Sequence, residues 1–431
     1  MKKPIVSLFL LACAVGSAWA NDGGTETFKS PKQSLTLKSV LQKTLEQNPQ
    51  LHQFDFQRQT LESLRETSQL KPGVEFGVDL ENIAGSGNAQ GENNAEITVA
   101  LSSVIELGDK RQSRLSVMDA RLERFKFEQQ AQTLDILGEV TVRFIQTLGT
   151  QEELRLSKEA IKLAESFYKV VKKRAERGAA SDAEVMRAKA QLVQSQVQEL
   201  SLQQKLLRQQ VALARFWGDT SRKDFELEGN LYAFGSDLSF DTLFEKVKRS
   251  PSLQVFASEM RLKQAEIRLA KTENQADFSW QLGVKRAQDS RDTSLTAGFS
   301  MPLFSESRNK SRVNAALAES NSVAYRRTDH LLALHEQVFN AFSQRQQHIT
   351  VYRKLSEAVI PVLENALALT RDAYERGRLK YQDFIAAQQE LLAAKKQLIE
   401  SARSALINQV IIEQLTAESI ADYGYSRKTH R

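Results

Sequence analysis

The side chains that could do acid–base or metal chemistry in this chain are few and badly spaced for catalysis. There are five histidines, His52, His330, His335, His348 and His430. His330 and His335 lie five apart in a stretch that reads as helix, whereas two histidines sharing a metal on one helix face lie four apart. Exposed helix histidines are the expectation. The only cysteine is Cys13. No nucleophile elbow, phosphate-cradling loop, H-E-x-x-H or glycine-rich dinucleotide turn occurs, so no catalytic, cofactor-binding or metal-ligating residue is assigned and an enzyme is not expected. What remains is electrostatics, concentrated at two breaks in helical sequence. One break carries Arg177, Gly178 and Ser181; the other carries Arg376, Gly377, Arg378, Lys380 and Asp383. Cations there suit the carbonyl pole of an ending helix, and Asp383 suits the positive start of the next one.

The elements around these breaks explain their glycines. Gly178 is expected as a left-handed stop, with Lys172, Lys173, Arg174 and Arg177 in the last turn before it. Ser181 and Glu184 make an S-x-x-E capping box for the outgoing helix. Gly377 plays the same part in the second break, but Lys380 stands where the capping serine would be. That tip is expected to lack its cap and to be the looser one. The flanking helices carry seven-residue apolar seams, which imply coiled-coil packing. The seams run Leu154, Ile161, Tyr168, Ala175 with Ala164 and Val171, then Leu355, Val362, Leu369 with Val359, Ala366 and Ala373, then Phe384, Leu391, Leu398, Ala405, Ile412 paired with Ala387, Ala394, Ser401, Asn408 and Leu415. From Ser113 to Arg177 only Gly138 and Gly149 interrupt, which implies about 100 Å of helix.

The two breaks belong to a longer repeat of about 200 residues. Asn48-Pro49-Gln50-Leu51 is echoed by Ser250-Pro251-Ser252-Leu253, and 102–114 by 300–312. Each half also holds two stretches of strict alternation, which read as strands with one apolar and one small or polar face. The apolar rows are Val74, Phe76, Val78, Leu80; Ile97, Val99, Leu101; Phe278, Trp280, Leu282, Val284; and Leu295, Ala297, Phe299, Met301. The expected organisation is a leader over 1–20, a first repeat over 21–230 with strands near 73–81 and 96–102, a second over 231–417 with strands near 277–286 and 294–302, and a polar tail over 418–431.

The leader reads as a secretory signal, with Lys2-Lys3, an apolar run from Ile5 to Val15 and Ala18-Trp19-Ala20 as the cleavage site. Cys13 lies inside it, so the exported chain is expected to have no disulfide. Charged residues make up 26% and aromatics 7%, with only 7 prolines, a composition of long polar helices. The net charge of +6 comes without a basic stripe, which argues against nucleic acid.

The ordered set of repeat, strand pairs and glycine tips resembles the TolC-like outer membrane factor family over about 35–417. The run "IELGDKR" at 105–111 resembles the CzcC-like heavy-metal efflux branch, where a second glycine stands in place of Asp109. The resemblance implies a mainly α fold with a small β part: internally duplicated coiled-coil helices forming a periplasmic α-barrel, and four transmembrane strands per protomer in a trimeric, twelve-stranded β-barrel. Closure by other copies agrees with the physics, since open sheet edges are not tolerated in lipid. The rows Val74–Leu80 and Leu295–Met301 are then expected to face lipid. It further implies an outer-membrane homotrimer without a cofactor, a passive exit duct for heavy-metal cations. Its implied partners are a periplasmic adaptor (membrane fusion protein) and an inner-membrane RND pump. Arg177, Gly178, Ser181, Arg376, Gly377, Arg378 and Lys380 would meet the adaptor, and Asp383 would form a carboxylate ring at the pore constriction. The alternatives are a duct for organic compounds and a secreted structural coiled-coil or adaptor protein.

Overall fold

The computed structural model describes residues 33–83, 94–221, 225–236, 239–303 and 305–418. The leader, Cys13, His430 and all of the tail but Glu418 lie outside these residues. Helices dominate. In the first half, α1 (Leu37–Gln47) and α2 (Pro49–Gln69) precede strands β2 (Glu75–Glu81) and β3 (Glu96–Ile105), then α3 (Lys110–Glu176) and α4 (Asp182–Ala214). In the second, α5 (Phe240–Val247) and α6 (Pro251–Thr272) precede β5 (Phe278–Ala287) and β6 (Thr293–Ser300), then α7 (Ser305–Lys354), α8 (Ile360–Glu375) and α9 (Tyr381–Thr416). The short strands β1 (Gln33–Thr36) and β4 (Phe225–Glu228) pair in parallel.

The order repeats because the local chemistry repeats. Asn48 and Ser250 sit at the same helix start, each followed by a proline whose missing N–H costs nothing there. The 67 residues of α3 run straight through Gly138 and Gly149, close to 100 Å at the usual rise. No helix is long and apolar enough to cross a membrane among the described residues.

Helices form a slab one or two layers deep rather than a globule. Near the strands the order is α2, α3, α6, α7; toward the tips it is α4, α3, α9, α8. At mid-height β1 and β4 cover Val140, Phe144 and Leu148 of α3 and Ile399, Ala402 and Leu406 of α9, with Phe216 and Trp217 in the same cluster. Gln151 fixes this strap by accepting from the Leu227 N–H at 2.9 Å and donating to the Leu227 carbonyl at 3.1 Å.

The seams follow the expected rows in α3 and depart from them in α8. In α3 the second expected row, Ala164 and Val171, is fully buried together with Phe167, while Leu154 and Ile161 of the first row are half-buried. In α8 the residues that face α9 are Leu367 and Tyr374; Val362 and Leu369 are each 66% exposed. Both choices have a period of seven, and only packing against a particular neighbour decides between them.

Candidate functional site

Both helical hairpins turn by the same device. At the first tip the Gly178 N–H donates to Ala175 O and the Ala179 N–H to Arg174 O, each at 2.8 Å. At the second the Gly377 N–H donates to Tyr374 O at 2.9 Å and the Arg378 N–H to Ala373 O at 2.8 Å. These are Schellman closures, and they need a left-handed residue after the helix. Gly178 has φ +74° and Gly377 φ +77°. A side chain in that conformation costs about 1–2 kcal/mol, more for a β-branched one. Gly178→Val or Gly377→Val should therefore loosen its own tip, read as faster hydrogen exchange of the amides flanking the turn. Native exchange rates in both variants would refute this.

The helix starts divide the capping box between them. At the first tip Ser181 Oγ accepts from the Glu184 N–H at 3.3 Å. At the second Asp383 Oδ2 accepts from the Lys380 N–H at 2.9 Å. The expectation of an uncapped second tip is thus corrected: Asp383 supplies the cap that Lys380 cannot. Glu184 is free for another task, because its carboxylate accepts from the Tyr374 hydroxyl at 3.0 Å. Burial, with this bond to a carboxylate, pushes the Tyr374 phenol up to about 12, so it remains the donor across the physiological range.

The two tips are joined. The Arg174 guanidinium donates to the Tyr374 carbonyl and, at 3.1 Å, to Ala179 O, and lies 4.4 Å from the centre of the Tyr374 ring. Beneath it Phe167 and Phe384 stack with ring centres 3.7 Å apart, flanked by Tyr374 and Tyr381. Phe384 was legible in the seam. Arg174 was legible only as a helix-end cation, and Phe167 and Tyr374 carried no signal, since no spacing rule pairs residues 200 apart. Arg177, Gly178, Ser181, Arg376, Gly377, Arg378, Lys380 and Asp383 all lie exposed around this buried cluster.

At the opposite end the strands form one antiparallel sheet, ordered β2-β3-β5-β6. Cross-strand partners share a face, so the register sorts the side chains. Phe76, Leu101, Leu282 and Ala297 fall in one row, and Val78, Val99, Val284 and Leu295 in the next. Trp280 and Phe299 pair on the same face, and Phe278 stacks on Phe299 at 5.9 Å. Val74 and Met301 lie just outside the ladder, before β2 and after β6, both well exposed. The other face carries Glu75, Asp79, Glu81, Glu96 and Lys285 among serines, threonines and glycines. Lys285 Nζ bridges Glu81, at 2.9 Å, and Glu96.

This sheet is incomplete alone. β2 and β6 have no outer partner among the described residues, and the apolar face is open. The helical slab repeats the pattern at its edges, with Val193, Val197 and Leu200 exposed on α4, and Val362 and Leu369 on α8. Unpaired strand edges and apolar stripes on the same two borders are what further copies of a ring wall would cover.

The run "IELGDKR" builds the joint between sheet and helices. Glu106 and Arg114 form a two-pronged ion pair, and Asp277 accepts from Lys110 at 2.7 Å and from the Leu107 N–H at 3.2 Å. Gly108 and Asp109 are both left-handed, with φ +77° and +58°. Asp109 makes no side-chain capping bond that would compensate. Asp109→Gly should therefore raise stability by up to about 1 kcal/mol, read as a higher thermal midpoint. An unchanged or lower midpoint would contradict it.

Of the four described histidines, His52 and His335 are exposed and His330 and His348 half-buried. His335 stands edge-on to Phe240 and Phe244, His330 lies against Phe256, and burial lowers the pKa of His348. His52 Nε2 lies 3.0 Å from Glu46 O. No group of three or more His, Cys, Asp or Glu could hold a metal among the described residues.

An amphipathic sheet with two open edges, continued by two long helical hairpins, defines the wall segment of an outer-membrane channel. The chain belongs to the outer membrane efflux protein family, whose model matches residues 40–219 and 245–418. Members are outer-membrane channels rather than enzymes, which places the strands in the outer membrane and the helices in the periplasm. A curated relative, the cobalt-zinc-cadmium resistance protein CzcC of Cupriavidus metallidurans, is 22% identical over 298 residues, 69% of this chain and 71% of that protein. The crystal structure of CusC superposes with a TM-score of 0.75 at 14% identity, covering 93% of this chain and 99% of that one. VceC from Vibrio cholerae gives 0.72 at 15% identity, covering 88% and 96%.

Proposed function

We propose that this chain is the exit duct of a tripartite, RND-driven efflux system for heavy-metal cations, acting as a homotrimer. The observation that carries the cation reading is the polar face of the sheet. Four carboxylates, Glu75, Asp79, Glu81 and Glu96, stand there against one cation, Lys285. Closed into a barrel with the apolar face outward, this face lines the lumen and draws cations through it. The likeness to a protein named for cobalt, zinc and cadmium resistance supports the same cargo.

At the periplasmic end the exposed cations Arg177, Arg376, Arg378 and Lys380 offer a surface for an adaptor's helical hairpins. Asp383 both caps α9 and presents a carboxylate to solvent. Repeated around the axis, its remaining negative charge forms the constriction ring. Deleting the gene should sensitise cells to cobalt, zinc and cadmium and leave a panel of organic toxicants unaffected. The reverse pattern would move the cargo to organic compounds. Asp383→Ala should lower cation selectivity and change conductance in planar bilayers, and unchanged values would leave Asp383 as a helix cap alone.

A further inference from the structure

The tip cluster contains one residue that its packing does not explain. α9 presents Tyr381, Phe384, Gln388 and Leu391 as a buried row at spacings of three and four. Gln388 is only 2% exposed, and neither its Nε2 nor its Oε1 has a hydrogen-bond partner. The residues around it in the row are aromatic or aliphatic and pack with Phe167, Val171 and Leu367. A buried amide that forfeits its bonds to water and gains none penalises the packed arrangement by the full desolvation cost. An apolar side chain of the same length would fill the row without that penalty.

A second observation shows where the hairpin can yield. Between α7 and α8 the helix widens into a single π turn, Leu355–Val359, closed by the Ile360 N–H on Leu355 O. Pro361 follows and has no N–H to offer the preceding turn. The ladder of α8 is therefore partly uncoupled from that of α7, at a type of irregularity often found at moving parts.

We propose that Gln388 is a built-in counterweight that keeps the α8–α9 tip hairpin metastable. In the packed tip its amide is dry and unpaired. When α8 and α9 shift away from α3 and α4 about residues 355–361, the amide becomes hydrated. Gln388 thus offsets part of the stabilisation from the aromatic stack and sets how readily the tip loosens. This is a positioning role, and it rests on the channel reading only for its consequence in conductance.

Hydrogen exchange on the full-length oligomer in detergent tests it without any cargo. Gln388→Leu and Gln388→Met should each slow exchange over 381–391 about tenfold, the factor that relief of one unsatisfied buried group supplies. Exchange in β3 and β5 should not change. In bilayers the same variants should open less often, and Gln388→Glu should open more often. Unchanged or faster exchange over 381–391 in both apolar variants overturns the proposal. Slower exchange with unaltered opening would uphold the counterweight and instead overturn the coupling of this tip to the pore.

Discussion

Val99→Arg should remove the protein from the outer-membrane fraction, whereas Thr98→Arg should leave it there. These neighbours lie at the same depth in β3 and point to opposite faces. Val99 sits between Val78 and Val284 in the apolar row, and Thr98 between Asp79 and Lys285 in the polar one. An arginine on the lipid face costs about 2–4 kcal/mol near the midplane, and every copy in a closed barrel would bear it. On the polar face the guanidinium keeps its water and gains Asp79 as a neighbour. Metal resistance and the amount of oligomer in isolated outer membranes measure the difference. If Thr98→Arg is lost and Val99→Arg retained, the faces are assigned the wrong way round.

That experiment tests the part of the fold most legible in the sequence. Period-two alternation assigns each side chain to a face because the sheet separates lipid from water, and no tertiary context is needed. The order of the strands was not legible. β3 pairs with β5 across the two halves of the chain, a choice that depends on how the helical hairpins dock. The pairing of β1 with β4 escaped for another reason: each has four residues, too few to show a period, and they meet across about 190 positions. Along the helices the seven-residue period was clear, but it cannot say which neighbour covers a given row. Val362 and Leu369 look like core in sequence and lie open in the single chain, each 66% exposed.

At the tips the backbone was legible and the side-chain network was not. Glycine and an S-x-x-E spacing are local signals, and they mark the turns. Asp383 as a cap required knowing that an acid three residues after Lys380 reaches back to its N–H, a bond that does not depend on the identity of the capping residue. The link from Arg174 to Tyr374 and the Phe167–Phe384 stack join segments about 200 residues apart. They exist only because the duplicated hairpins end at the same height, so their legibility waited on the register of α3 against α9.

The largest effect at that end is expected from Phe167→Ala. Phe167 is 2% exposed and touches three other rings, with its closest partner, Phe384, 3.7 Å away between centres. Truncating a buried phenylalanine costs about 3–5 kcal/mol, and each copy in the ring would lose as much. The strands are far from this cluster, so insertion and oligomer formation should persist. Conductance should rise and fluctuate, and amides of residues 374–391 should exchange faster. By contrast, Arg177→Ala at the exposed rim should change stability by less than about 0.5 kcal/mol and weaken only what binds the tip. Phe384→Ala should resemble Phe167→Ala, and the double variant should cost less than the two singles together, because each single already removes the shared stack. Additive costs, or native conductance in Phe167→Ala, would show that the stack does not hold the tip, which Arg174, Glu184 and Tyr374 would then have to hold.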